Sequence, residues 1–424
     1  MKKYFERLSI LLLLLCASGA GAGIYMGQQT ANSGDPGGST GLQILYALFY
    51  LLICLWLLPW HKQALSLLFE EKWMLLLLLL AVASTFWSVD SGETFRRSLG
   101  LAGSTITGLF IAMRYEPKQQ IRILAACIVV AAVASLVVGF VLPGIGLMPD
   151  GAWRGVFYLK NGLGRMMSLG VVCFAFLAIG QRQFRTLAIA MIALCGILLL
   201  LAKSATGIVV CGIVLALLPF RSILNRSKRR IVALSVILAI VLLPAAHFAW
   251  NRRGRILASM GRESSLTGRL PLWEAVGTEI SYKPLLGSGY TAFWSTADAE
   301  RYRQASGWDA PNAHNGFLEM ALGLGFIGLA VFAIGMFRNF TRAIVTAARS
   351  EEIETAWPLF FLIFCVLYNL TESTLFSGNS IFWILYTASA YWLVRATAES
   401  RVSNVVESEP HPSPAGIAEP VTVE

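Results

Sequence analysis

The sequence predicts an all-α protein that crosses a membrane many times. Of its 424 residues, 56% are hydrophobic and only 14% are charged, whereas a soluble globular domain carries about 25% charged residues. Apolar runs recur along the chain, many near the length of about 20 residues that a helix needs to cross a bilayer. The loops between these runs also alternate between many and few lysine and arginine residues. This composition excludes a soluble enzyme, a disordered chain and a fibrous repeat.

About twelve apolar runs qualify as transmembrane helices, some only with their flanking residues. The first follows Lys2 and Lys3 and has features of a signal peptide, but it is also long enough to span. We expect residues 1–394 to form a single integral membrane domain. The runs are 8–26, 41–59, 73–88, 100–113, 121–141, 161–180, 186–202, 208–220, 231–250, 315–337, 358–370 and 380–394.

The distribution of lysine and arginine predicts the orientation. With twelve spans, 20 of the 34 basic residues fall in one set of alternate connections and termini, and 14 in the other. Eight of those 14 lie in one long loop, 251–314, and long loops count little in the positive-inside rule. We therefore expect both termini in the cytoplasm, the 251–314 loop outside between the ninth and tenth spans, and a disordered tail at 395–424.

Basic residues on the predicted outer face indicate an anionic ligand there. The long loop alone contains Arg252, Arg253, Arg255, Arg262 and Arg269 among its basic residues. Cationic side chains near membrane depth are costly and usually line a cavity. A phosphate or diphosphate on a lipid carrier is the ligand that we expect.

His314 and Asn315 stand at the mouth of a glycine-rich span, in the string APNAHNGFLEMALGLGFIG. The positive end of the helix dipole favours a neutral imidazole, which could act as a base, and free N–H groups there suit an anion. The alternative is an interfacial residue that caps the helix.

A second basic group surrounds the start of the 161–180 run. Arg154, Lys160 and Arg165 flank Asn161, and Asn161 and Arg165 share one helix face at i and i+4. A polar cavity is one interpretation, and snorkelling to outer headgroups is the other. Lys203, in a short outer turn, is a weaker candidate.

In the long loop, Thr267, Gly268 and Arg269 precede a predicted amphipathic helix that contains Trp273. Its aromatic faces suit either a sugar ring or the membrane interface, and composition does not separate the two.

The sequence lacks the motifs of several common metal-binding, disulfide and nucleotide-binding sites. The seven cysteines form no CxxC pair, which gives no sign of a zinc site or a disulfide framework. The sequence has no P-loop and no dinucleotide fingerprint, and the acidic residues of the outer loops form no tight carboxylate pair. We expect no metal and no cofactor, so that cationic side chains would neutralise a leaving phosphate.

These motifs resemble the O-antigen ligase and polymerase superfamily of bacterial envelope glycan enzymes, and most closely its exopolysaccharide polymerases. His314 and Asn315, nine further residues, and then Gly325 and Gly328 have the spacing of the ligase motif. Arg165 with Leu169 fits a second element, Arg-x-x-x-Leu. The matching blocks, which include LTGRLPLW and AHNGFLE, run from Trp153 to Glu372.

The resemblance implies a GT-C-like, metal-independent and inverting glycosyltransferase in the bacterial inner membrane. Its donor would be a glycan on undecaprenyl diphosphate, used at the periplasmic face. Arg165, Arg269 and His314 would be catalytic. Substrate would contact the remaining candidates, which are Arg154, Lys160, Asn161, Lys203, Trp273, Asn315 and Glu319.

Three functions stay open at this stage. The first is a polymerase that joins lipid-linked repeat units, with a possible chain-length regulator as partner. The second is a ligase that transfers finished O-antigen to lipid A-core, with the same donor and a different acceptor. The third is a transporter of lipid-linked glycan, which is less expected because transporters place charges near the bilayer midplane. No nucleic-acid partner is expected.

Overall fold

Long α-helices make up most of the computed structural model, which describes residues 2–22, 40–221, 269–300 and 311–408. The predicted span 231–250, the loop segments 251–268 and 301–310, and the tail 409–424 lie outside the described residues. Within the described ranges there is no β-strand, only one isolated bridge between Leu147 and Trp153. The all-α prediction is therefore confirmed for this part of the chain.

The long helices are labelled α1 to α13 in chain order. They are α1 (Lys2–Ala17), α2 (Thr40–Leu57), α3 (His61–Glu70), α4 (Lys72–Ala83), α5 (Ser91–Arg114), α6 (Pro117–Val141), α7 (Lys160–Gly180), α8 (Arg185–Leu201), α9 (Ala205–Leu217), α10 (Arg269–Tyr282), α11 (Gly316–Arg349), α12 (Trp357–Asn369) and α13 (Ile381–Ser408). Short helical turns lie between them at Leu58–Trp60, Ser84–Phe86, Pro143–Gly146, Arg182–Phe184, Leu218–Phe220, Phe293–Ser295 and Ile353–Ala356.

Five helical segments of the described chain are long and apolar enough to cross a membrane. They are Thr40–Glu70, Pro117–Val141, Lys160–Gly180, Arg182–Leu201 and Gly316–Arg349. Shorter apolar helices occur at Lys72–Phe86, Ala205–Phe220 and Ile353–Asn369. These helices fit a multi-pass membrane protein, and the count of about twelve spans stays a prediction. The last helix differs from expectation, since it continues through 395–408, where the sequence predicts a disordered tail.

Loops that were predicted to share a side of the membrane contact one another. At one end of the bundle, polar contacts join the predicted cytoplasmic connections: Glu6 with Arg114, Glu71 with Arg342, Glu116 with Arg395, Arg122 with Gln181, and Arg221 with the Ser350 carbonyl. At the other end, Val89 N donates to Ser288 O over 3.0 Å, and Thr206 lies 3.0 Å from Thr371. The contacts therefore group these loops at the two ends of the bundle as the sequence predicts.

Helix α11 breaks at Gly325, and the 284–289 loop fills the break. Gly325 has φ +66°, and an added Cβ would lie 2.2 Å from the carbonyl group of Leu285. Phe326 N donates to Pro284 O over 2.7 Å, and Gly289 N donates to Gly323 O over 3.0 Å. Irregular backbone within a bilayer must find partners in the protein. The 284–289 loop supplies them, and it is thereby fixed against the helix that follows His314.

Substitution of Gly108 should destabilise the bundle. A Cβ there would lie 1.9 Å from Thr387 Oγ1 and 2.7 Å from Ile384 O, so that α5 and α13 would have to separate. We expect Gly108→Ala to cost about 1–3 kcal/mol of stability through overpacking, seen as a lower thermal unfolding temperature in detergent. Gly212→Ala in α9 is the matched control, because nothing lies within 4 Å of its added Cβ. Equal unfolding temperatures for the two variants would contradict this packing.

Candidate active site

His314 is fixed by the cap of the helix that follows it. Asn315 is the N-cap of α11, and its Oδ1 accepts from Phe317 N over 3.0 Å and from Leu318 N over 3.1 Å. Its Nδ2 donates to Leu370 O over 3.2 Å. His314 adopts φ +46° and is 6% exposed. The Asn315 amide, predicted to bind substrate, is thus engaged in capping and in holding the loop after α12.

Two other predicted binding residues hold the segment just before His314. The Glu319 carboxylate accepts from Ala313 N over 2.8 Å and from Trp294 Nε1 over 2.7 Å. Trp273 Nε1 donates to Ala313 O over 2.8 Å. Both polar groups of Ala313 are therefore satisfied by side chains, and this positions the neighbouring imidazole.

Residues 370–380, which connect α12 to α13, form a tightly bonded strap. The buried Asn369 Oδ1 accepts from Thr374 N over 2.9 Å and from Leu375 N over 3.0 Å. Tyr290 Oη donates to Phe376 O over 3.0 Å. Such bonding fixes the strap backbone beside the start of α11.

The strap carries Glu372, the residue on which the predicted site converges. Arg269 Nη2 lies 2.7 Å from Glu372 Oε1, and Asn161 Nδ2 donates to the same oxygen over 3.2 Å. His314 Nδ1 lies 3.3 Å from Glu372 Oε2. The Glu372 carbonyl also accepts from Gly316 N over 3.1 Å. Glu372 thus joins residues from α7, α10 and the start of α11.

The charges around Glu372 keep its carboxylate ionised. Burial raises the pKa of Glu372, but the contact with His314 and the charges of Arg269 and Arg165 lower it by more, so that the net pKa is below the ordinary value. Arg165 also stacks its guanidinium Cζ 5.1 Å from the ring centroid of Phe382. Its buried Nε has no hydrogen-bond partner among the described residues. One carboxylate therefore pairs with the Arg269 guanidinium, lies beside an imidazole and is stabilised by the charge of Arg165.

The other predicted basic residues gather at a neighbouring loop instead. Arg154 donates to Ile145 O over 2.6 Å and to Tyr158 O over 3.2 Å. Lys160 Nζ lies 2.5 Å from Asp150 Oδ2, and Lys203 Nζ donates to Asp150 O over 3.0 Å. This group lies at the same end of the bundle as Glu372, but it makes none of the hydrogen bonds to that carboxylate.

A small pocket lies between the start of α11, the strap and Tyr290–Thr291. Its lining includes Tyr290, Thr291, Gly316, Glu319 and Phe376. Thr291 and Phe376 both have positive φ values, +55° and +54°. Among the described residues, no group of three or more His, Cys, Asp or Glu side chains could hold a metal ion.

Sequence comparison relates the chain to an O-antigen ligase family and to an exopolysaccharide production protein. Residues 188–333 match the family model described as O-antigen ligase. The exopolysaccharide production protein ExoQ of Rhizobium meliloti (strain 1021) is 27% identical over 286 residues. The predicted resemblance to the O-antigen ligase and polymerase superfamily is confirmed. The alignment with ExoQ spans 63% of this chain and 64% of that relative.

The O-antigen ligase match includes Arg269, His314 and Glu319 but ends before Glu372 and begins after Arg165. The site described above therefore combines the matched region with helix α7 and with the strap. Glu372 is the residue that the sequence reasoning did not select. The available signal was a lone acid, in YNLTEST, on the same predicted side of the membrane as His314.

The depressed pKa of Glu372 predicts how stability depends on pH. The pKa of Glu372 is lowered from 4.5 in the folded protein, so its stabilising contribution is fully present above pH 4.5 and is lost as pH falls through the folded-state value. We expect the difference in unfolding temperature between wild type and Glu372→Gln to be largest near neutral pH. The difference should shrink in acid. A difference that grew on acidification would contradict the lowered pKa of Glu372.

Proposed function

We propose that the chain transfers a glycan from undecaprenyl diphosphate to a sugar acceptor at the outer face of the bacterial inner membrane. The observation that carries this proposal is the convergence of Arg165, Arg269 and His314 around Glu372 at one end of the helices. Such a cluster suits a diphosphate, because guanidinium groups bind phosphate oxygens in bidentate geometry.

In the proposed reaction, an acceptor hydroxyl attacks the anomeric carbon of the donor in a single inverting displacement. The new C–O bond forms as the bond from that carbon to the diphosphate oxygen breaks. The electron pair leaves with the diphosphate, whose charge Arg165 and Arg269 stabilise. The hydroxyl proton passes to His314. No metal or cofactor takes part in this scheme.

The remaining predicted residues have supporting roles in this scheme. Asn161 holds the carboxylate that faces Arg269, whereas Trp273, Asn315 and Glu319 fix the backbone around His314. Arg154, Lys160 and Lys203 would contact the donor or the glycan next to Asp150. We further propose cytoplasmic termini, about twelve spans, and catalysis beneath the 251–314 loop, in accord with the distribution of basic residues.

Polymerisation of repeat units is the form of this function that we favour, and ligation to lipid A-core is the alternative. The exopolysaccharide production named for ExoQ supports the polymerase, whereas the description of the family model supports the ligase. A chain-length regulator would be a partner of the polymerase alone. Transport is less well supported, because the candidate charges gather at helix ends.

Alanine substitution of Arg165, Arg269 or His314 should abolish glycan transfer. We expect a loss of at least about 100-fold for each, since removal of one such group typically costs 10²–10³. The measurement is the amount and length of polymer in the native host, with membrane levels checked by immunoblot. Arg182→Ala removes an exposed arginine between α7 and α8 and should keep wild-type chains. Wild-type chain lengths in the His314 and Arg269 variants would refute the proposal.

Deletion of the gene should separate polymerase from ligase. Loss of a polymerase should leave single repeat units on the carrier lipid, because the units are made but not joined. Loss of a ligase should instead leave long chains on that lipid. The measurement is mass spectrometry of the lipid-linked saccharides from the deletion strain, with the complemented strain as the control. Lipid-linked saccharides that are the same in the deletion strain and the complemented strain would contradict both activities.

A further inference from the structure

Glu372 occupies the place where the proposed function requires a diphosphate. Its Oε1 takes Arg269 and Asn161 as partners, and its Oε2 lies 3.3 Å from His314. Arg165 acts on it through its charge. Arg269, one of the two cations assigned to the donor, is thus already paired with an anion that belongs to the protein.

The charge balance of this cluster leaves room for a second anion. The Arg269 guanidinium pairs with the carboxylate, the charge of Arg165 also acts on it, and a protonated His314 would add a third positive charge. Arg165 Nε is buried without a hydrogen-bond partner among the described residues. An arginine that is buried and incompletely bonded is costly unless a ligand completes its bonds.

The strap allows the Glu372 side chain to turn while its backbone stays in place. Gly316 N donates to the Glu372 carbonyl. Asn369 Oδ1 accepts from Thr374 N and from Leu375 N. The hydroxyl oxygens of Thr371 and Thr206 lie 3.0 Å apart. These bonds hold the main chain on both sides of Glu372. Rotation about the side-chain torsions can therefore release Arg269 without moving the strap.

We propose that Glu372 is an internal stand-in for the donor diphosphate: when donor binds, Glu372 releases Arg269 to a diphosphate that Arg165 also holds, and it retains His314. The inference rests on the proposed function. In the free protein, Glu372 holds the cationic side chains in the site and excludes other anions from it. With donor bound, Glu372 is a positioning residue that orients the imidazole through Nδ1 and stabilises the imidazolium formed when Nε2 takes the acceptor proton.

The first test is the affinity for inorganic pyrophosphate of the full-length protein in lipid nanodiscs, measured by calorimetry. Removal of a competing negative charge should strengthen binding, so Glu372→Gln should bind pyrophosphate about tenfold more tightly than wild type. Glu372→Asp restores the charge and should return the affinity toward that of wild type. A merely structural role for Glu372 would weaken binding or leave it unchanged.

The matched control is Glu71→Gln. Glu71 is likewise a buried carboxylate paired with an arginine, Arg342, but it lies at the opposite end of the bundle, so this variant loses the same charge away from the site. It should leave pyrophosphate affinity unchanged. Equal tightening in Glu71→Gln and Glu372→Gln would overturn the inference, because the effect would then be one of net charge.

The second test is the kinetics of transfer, with lipid-linked saccharide extracted from the deletion strain as donor. We expect Glu372→Gln to lower KM for the donor and to lower kcat at least about tenfold, since the imidazolium loses its carboxylate. Unfolding temperature and nanodisc yield show whether the variant folds. A lower KM without a lower kcat would overturn the positioning role.

The outcomes separate this inference from the function on which it rests. If Arg269→Ala weakens pyrophosphate binding but Glu372→Gln does not strengthen it, the stand-in role is wrong and the diphosphate site stands. If Arg165→Ala, Arg269→Ala and Glu372→Gln all bind as wild type does, both the site and the stand-in role are wrong.

Discussion

The ion pair between Arg269 and Glu372 is the interaction on which the candidate site depends. Both side chains are largely buried, at 16% and 9% exposed. Removal of one partner of a buried pair leaves an uncompensated charge and typically costs about 3–5 kcal/mol. The same carboxylate binds Asn161 and lies beside His314. One acidic group thereby connects helix α7, the loop helix α10, the start of α11 and the strap after α12.

Irregular backbone is concentrated at the same end of the bundle. All five described non-glycine residues with positive φ lie at this end, and they are Lys203, Thr291, His314, Phe376 and Asn379. Such conformations are costly and persist where surrounding contacts impose them. Here the contacts come from Tyr290, Asn315, Asn369 and the loop inserted at Gly325. The opposite end of the described bundle instead has ordinary helix ends joined by ion pairs. A bundle that supports a functional site at one end is expected to show this asymmetry.

Sequence reasoning predicted the helical class and the loops that share each end of the bundle, because both follow from apolar length and charge. It also selected Arg165, Arg269, Asn161 and His314, which the structure brings together. It did not select Glu372, since a lone acid in a loop has no spacing that identifies its partners. Substrate contacts from Trp273, Asn315 and Glu319 stay a prediction. In the structure, the polar atoms of these side chains bond to backbone groups and to Trp294, and no local pattern in the sequence encodes these bonds. The length of α13 also exceeded the prediction, because its apolar run ends before the helix does.

A cryo-EM map of the protein with undecaprenyl diphosphate would show directly whether Arg165 and Arg269 hold a diphosphate. We expect phosphate density in contact with both guanidiniums, the Arg269–Glu372 contact opened, and His314 still beside Glu372. Density at another surface, with the Arg269–Glu372 pair intact, would rule out this diphosphate site.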